Sequence, residues 1–174
     1  MPQCLDNMYQ QGYYGVDVDV ESMAIPNPAV DVCPGDFLVA DTSVAGVTEA
    51  KLLSAYTWDT NLATTRTAAK AAFRGVSAGE YGTEDCIEQQ DCLPYWRYNR
   101  GNGWMRSYLI VDDSGAAAPT TWHAGQLFTF AKNPSSNALV DSKIVKTSDA
   151  TVAVFRAPNA SGTEDQTRAY VEFY

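Results

Sequence analysis

The residues in this chain able to do chemistry are few, and most stand beside turn residues. Asp36 lies in CPGDFLVAD, residues 33–41, directly behind Pro34 and Gly35. His123, the single histidine, lies between Trp122 and Gly125 in a second glycine-centred stretch. General acid–base work needs two groups within hydrogen-bond reach whose surroundings drive their pKa values apart. The close carboxylate pairs are Asp17 with Asp19, Glu84 with Asp85, and Asp112 with Asp113. The first pair shares one face of an alternating VDVDV stretch and reads as a solvated strand face. The last precedes Ser114-Gly115 after an apolar run, which is how a hairpin turn is written. His123 has no Gly-x-Ser-x-Gly or comparable nucleophile signature to serve, and reads as a turn histidine beside an aromatic ring. The Ca²⁺ loop, Walker A and dinucleotide glycine patterns are also missing. The sequence therefore points away from an enzyme and implies neither metal nor cofactor.

The four cysteines, Cys4, Cys33, Cys86 and Cys92, contain no close Cys-x-x-Cys pair for zinc. Cys86 and Cys92 enclose the short loop IEQQD, which a local bridge could close, so the expectation is free or locally bridged thiols. Asn159-Ala-Ser matches the glycosylation sequon and is expected to stay unmodified without an export signal.

The rest of the chain must position these groups. With 174 residues, 45% hydrophobic and 19% charged, it is long enough to enclose one apolar core. A net charge of −9 without any basic block argues against nucleic acid and anionic membranes as partners, because both need clustered positive charge. No apolar run is long enough to span a bilayer, and the N-terminus has neither the charged nor the apolar region of an ordinary export signal.

Residues 1–32 carry Tyr9, Tyr13 and Tyr14 and the proline-broken AIPNPAV, and read as an extended N-terminal arm. Such a segment orders by lying on something else, with Val18 and Val20 of VDVDV suited to joining a sheet edge. From Cys33 to residue 174, short apolar runs alternate with turns: FLVA at 37–40, SYLIV at 107–111, LFTF at 127–130, KIV at 143–145, TVAVF at 151–155 and YVEFY at 170–174. Their Val, Phe, Tyr and Thr content predicts an all-β barrel or sandwich domain over 33–174. The exception is DTNLATTRTAAKAAF, where Leu62, Arg66, Ala69 and Phe73 fall at helical spacing behind a cap from Asp59, Thr60 or Asn61. One short helix is expected there, covering a mouth of the barrel.

The glycine stretches echo each other. CPGDFLVAD and HAGQLFTFAK both place a glycine and then Asp or Gln before bulky apolar residues. Pro34-Gly35 fits a type II turn, so each stretch reads as the entrance to a strand, with Asp36 serving the turn. Between residues 86 and 104, aromatic residues crowd a polar inserted loop that includes Tyr95, Trp96, Tyr98 and Trp104. Tyr, Trp and Arg together are enriched at protein interfaces, and the same residues could stack on sugars.

Taken in order, Pro34-Gly35-Asp36 with its apolar strand, Trp58, the helix, Phe73-x-Gly75-Val76, and Gly125 with its strand resemble the small capsid cement or head-decoration proteins of tailed bacteriophages. The resemblance covers roughly residues 33–155. Gln126 stands where those proteins often carry Asp, and the 86–104 segment has no counterpart in the pattern. The resemblance implies a small β-barrel or β-tulip that binds the outer surface of an assembled virion capsid, bridges major capsid proteins, and works as a dimer or trimer. A carbohydrate-binding or adhesin module using Tyr95, Trp96, Tyr98 and Trp104 is the alternative expectation.

Overall fold

The computed structural model describes residues 9–10, 20–23, 30–41, 49–77, 93–97, 106–111, 122–158 and 168–174. Both glycine stretches form the turns their sequences encode. In the first, Asp36 N–H donates to Cys33 O at 3.0 Å around Gly35 at φ 95°; in the second, Gln126 N–H donates to His123 O at 2.9 Å around Gly125 at φ 82°. A left-handed φ is cheap only for glycine, which fixes its place at each corner. Each corner also engages a distant strand through the same pair of backbone bonds. Gly35 N–H donates to Ser77 O and Ser77 N–H to Asp36 O; Gly125 N–H donates to Ala157 O and Ala157 N–H to Gln126 O. An added Cβ at Gly125 would meet nothing within 4 Å, so Gly125→Ala tests the backbone alone. We expect it to cost roughly 1–2 kcal/mol in denaturant unfolding, the penalty of a left-handed L-residue; unchanged stability would show that the corner relaxes.

The strands are β1 (Tyr9–Gln10), β2 (Val20–Met23), β3 (Phe37–Asp41), β4 (Glu49–Leu52), β5 (Phe73–Ser77), β6 (Leu93–Arg97), β7 (Arg106–Val111), β8 (Leu127–Lys132), β9 (Leu139–Thr147), β10 (Phe155–Arg156) and β11 (Arg168–Phe173). They form two sheets, ordered β2-β6-β5-β3-β4 and β1-β7-β11-β10-β8-β9. A parallel pairing of β7 with β9, Ile110 opposite Lys143 and Val111 opposite Ile144, closes the second sheet into a five-stranded barrel. The protein is thus a mostly β fold built around a small barrel.

The echo extends well beyond the two corners. Adding five to each label of the first sheet turns its order into β7-β11-β10-β8-β9, the wall of the barrel, with every neighbouring pair antiparallel in both. The register repeats too. Phe37 opposite Val76 and Leu38 opposite Gly75 correspond to Leu127 opposite Arg156 and Phe128 opposite Phe155. Val76 opposite Trp96 and Trp96 opposite Val20 correspond to Arg156 opposite Glu172 and Glu172 opposite Arg106. The chain therefore folds as two five-stranded units of one design, with their corner glycines 90 residues apart (125 − 35).

Between β4 and β5 run a 3₁₀ turn, η1 (Leu53–Ala55), and the helix α1 (Leu62–Ala72). Asn61 is the N-cap: its side chain accepts from Thr64 N–H at 3.0 Å, and Thr64 Oγ1 accepts from Asn61 N–H at 3.2 Å. This reciprocal box satisfies two orphan donors and offsets the poor helix propensity of the threonines. The helix buries Thr65 and Ala69, packs on β3 and β8, and is pinned by Arg66 Nε donating to Phe130 O at 2.8 Å.

Phenylalanines from both units fill the core. Phe37 and Phe73 of the first meet Phe130, Phe155 and Phe173 of the second with ring centroids 5.1–6.2 Å apart, mostly tilted or edge-on. Val32 and Trp122, each one residue ahead of its corner, are both buried, and Trp122 packs edge-on against Phe128.

Two sequence readings are corrected by these elements. Of TVAVF only Phe155 is strand, continuing into Arg156, because Asp149 Oδ1 accepts from both Thr151 N–H (2.8 Å) and Thr151 Oγ1 (2.6 Å) and holds a turn there. Within the expected aromatic loop, Leu93–Arg97 is instead a strand between β2 and β5. Pro94 lies opposite Ser22 of β2, and the described pairing with β5 begins one residue later, at Tyr95. Most of the arm lies outside the described residues; of its described pieces, β1 and β2 pair within the chain and Val32 is buried.

Candidate interaction surface

Asp36 is buried, with 7% of its surface exposed, and its Oδ2 accepts from Cys33 N–H at 2.8 Å. The carboxylate thus ties the last residue of the turn to the first. Gly75, at φ 157° on β5, faces the register shift between Leu38 and Val39, where a bulge favours glycine. His123 is exposed at the opening position of the second corner, where Cys33 stands in the first. Asp36 and His123 therefore occupy two different corners on two different sheets. Among the described residues, no group of three His, Cys, Asp or Glu side chains is arranged to hold a metal ion.

Cys33 is disulfide-bonded, and Cys4, Cys86 and Cys92 all lie outside the described residues. The expected Cys86–Cys92 bridge falls there as well. Whichever cysteine joins Cys33, the bridge closes a loop of at least 29 residues (33 − 4), longer than the local one expected.

Of the residues expected at an interface, the backbone brings three together. Val20 lies opposite Trp96, and Tyr95 lies opposite both Glu21 and Ser77, all on the five-stranded sheet. Tyr9 is elsewhere, on β1 opposite Tyr108 of β7. Tyr13, Tyr14, Val18 and Tyr98 lie outside the described residues.

The repeated register supplies an internal comparison for this row. Phe37, Val76, Trp96 and Val20 occupy the positions that Leu127, Arg156, Glu172 and Arg106 hold in the second unit. Val76 is fully buried and belongs to the core, whereas the Arg156 side chain is 50% exposed and its Nη2 sits 2.7 Å from Glu172 Oε1. At this slot the first unit places Val76 in the core, and the second places an ion pair whose arginine is half exposed and whose glutamate is buried. No sequence reading had flagged this Arg156–Glu172 pair; an Arg and a Glu separated by 16 residues become neighbours only through the sheet register.

A second unflagged carboxylate is Asp141 on β9, whose Oδ1 accepts from Ser54 N–H of η1 at 2.5 Å. Burial raises its pKa above the ordinary aspartate value, with the Ser54 bonds opposing that shift. The folded state therefore holds this proton more tightly than the unfolded chain. The stability gained is complete below the unfolded pKa and is lost as pH rises through the folded one. Asp141→Asn keeps an acceptor for Ser54 and removes the charge. We expect it to gain stability relative to the parent as pH rises above the ordinary aspartate range, read as a Tm difference across a pH series.

Comparisons with family models, with curated proteins and with solved structures returned no match to this chain.

Proposed function

We propose that this chain is a structural virion protein without enzymatic activity, which binds the outer surface of a phage capsid and stabilises it by bridging major capsid proteins. The observation that carries the reading is the shared backbone scheme of the two glycine corners, in which Asp36 and both glycines launch strands. Asp36, which could have been read as reactive, has a carboxylate oxygen engaged by the turn itself. The residues of the cement-protein resemblance also fall on successive elements: Pro34-Gly35-Asp36 at the first corner, Trp58 ahead of α1, Phe73-Gly75-Val76 on β5, and Gly125 at the second corner. A rigid β body repeated over a shell suits such a role, because many modest contacts add up to a strong hold. The net charge of −9 also suits a partner surface other than nucleic acid.

The test is add-back of purified protein to capsids that lack it. The expected result is co-sedimentation and a higher temperature of DNA release, with particles also surviving chelator longer. Protein that stays in the supernatant and leaves the release temperature unchanged would overturn the proposal. The alternative is a sugar-binding module, for which Tyr95 and Trp96 are consecutive positions of β6. Specific glycan-array binding abolished by Trp96→Ala would establish that alternative instead.

A further inference from the structure

The helix α1 and the strand β8 on which it packs carry cations and no acid: Arg66 and Lys70 on Leu62–Ala72, Lys132 on Leu127–Lys132. In a chain with 21 Asp and Glu against 12 Lys and Arg, this reverses the overall balance. Contacts draw Arg66, Trp58 and Lys132 onto one surface. Arg66 Nε donates to Phe130 O at 2.8 Å, and Lys132, two residues farther along β8, holds its Nζ 5.7 Å from the centre of the Trp58 ring. Asp59 N–H, next to Trp58, donates to Thr65 Oγ1, next to Arg66, at 3.0 Å and closes the circuit. All three side chains are partly buried.

Arg66 differs from the charged groups around it. Asp59 Oδ1 accepts from Thr60 N–H and Thr60 Oγ1 at the start of the helix. Near its end, Thr151 and, to a lesser degree, Lys70 hold the Asp149 carboxyl below the ordinary aspartate range. Lys132 Nζ donates to Asn133 O. Arg66 meets no carboxylate among the described residues, and burial, with no acid opposing it, lowers its pKa. A cation drawn out of water is costly until a counter-charge meets it. Its Nε is committed to Phe130, which leaves the two Nη groups, an edge whose spacing matches the two oxygens of a carboxylate.

We infer that Arg66, flanked by Trp58 and Lys132, is the docking point for an acidic peptide segment of a partner protein, one carboxylate side chain being received on the two Nη groups. Lys132 adds a second positive charge, and Trp58 supplies apolar area of the kind that anchors interfaces. The inference concerns the chemistry of the docked segment and stands with or without the capsid reading.

The experiment titrates the full-length protein with a capped peptide of alternating Glu and Gly, following the ¹⁵N–¹H signal of the Arg66 side-chain Nε by NMR and the affinity by calorimetry. The expected result is a saturable shift at Arg66 that weakens as salt is raised. The dissociation constant should rise about tenfold or more in Arg66→Gln and about two- to fivefold in Lys132→Gln. Lys143→Gln, exposed on β9, should leave it unchanged. Three results would each overturn the inference: no saturable shift at Arg66, equal binding of the peptide with Gln in place of Glu, or a loss in Lys143→Gln as large as in Arg66→Gln. Sedimentation of the protein alone as a dimer that Arg66→Gln abolishes, without peptide binding, would overturn it in favour of a second copy. Arg66→Gln also loses the bond to Phe130, so if it fails to fold, the shift in the parent protein and the effect of Lys132→Gln still decide.

Discussion

Phe155→Ala will lower stability by about 3–5 kcal/mol, the usual cost of truncating a buried phenylalanine to alanine. Phe155 is fully buried, and its ring centroid lies 5.5 Å from Phe37, 6.0 Å from Phe73, 6.4 Å from Phe130 and 5.7 Å from Phe173. Two of those rings belong to the first five-stranded unit and two to the second, so the cavity opens at the joint between them. Collapse around it is limited, because the backbone of β10 is fixed on both sides, by β8 and by β11. For a chain of this size the loss should lower Tm by roughly 10–15 °C. Calorimetry or denaturant unfolding checks this; a loss under about 1 kcal/mol would show that the units do not share one core.

Asp36→Ala should cost about 1–3 kcal/mol, because the Cys33 N–H loses its acceptor in a part-buried corner. Asp36→Asn keeps an oxygen in place and should retain most of that stability. Gln126→Ala, at the matching position of the second corner, should cost less: its side-chain Nε2 donates to Leu127 O and Thr147 O, and no turn N–H depends on it. This ordering separates a turn carboxylate from a reactive one. If Asp36→Asn and Asp36→Ala unfolded alike, the hydrogen bond to Cys33 would not be what the corner depends on.

Local rules made a good part of this fold legible. Both glycine corners, the strands that follow them and the helix α1 are written in short stretches, where turn chemistry and periodicity act within a few residues. Asn61 was one of three candidate caps, and the reciprocal bond with Thr64 singles it out. What escaped the sequence is non-local. β4 reads EAKL and lacks an apolar signature; it is a strand because β3 supplies its partner. β6 hides behind Pro94 and a polar setting. The echo visible in about ten residues continues through ten strands, yet the residues filling matching slots differ as widely as Val76 and Arg156, so backbone register preserves what side chains have lost. The same holds for the candidate interaction surface. Val20 and Trp96 looked unrelated at 76 positions apart (96 − 20) and are direct cross-strand partners.

The place of β11 in the barrel wall bears on how this protein is made. It sits between β7 and β10, and it is the last of the five wall strands to leave the ribosome. The wall cannot zip up in the order of synthesis: β7 must wait, one edge bare, while more than fifty residues follow it, since β11 begins 57 positions after β7 ends (168 − 111). Pairings so distant along the chain place such topologies among slow folders, on a timescale of roughly milliseconds to seconds. During that interval the nascent chain exposes an uncovered ribbon of Tyr108, Leu109 and Ile110, and there a chaperone or a premature neighbour would take hold.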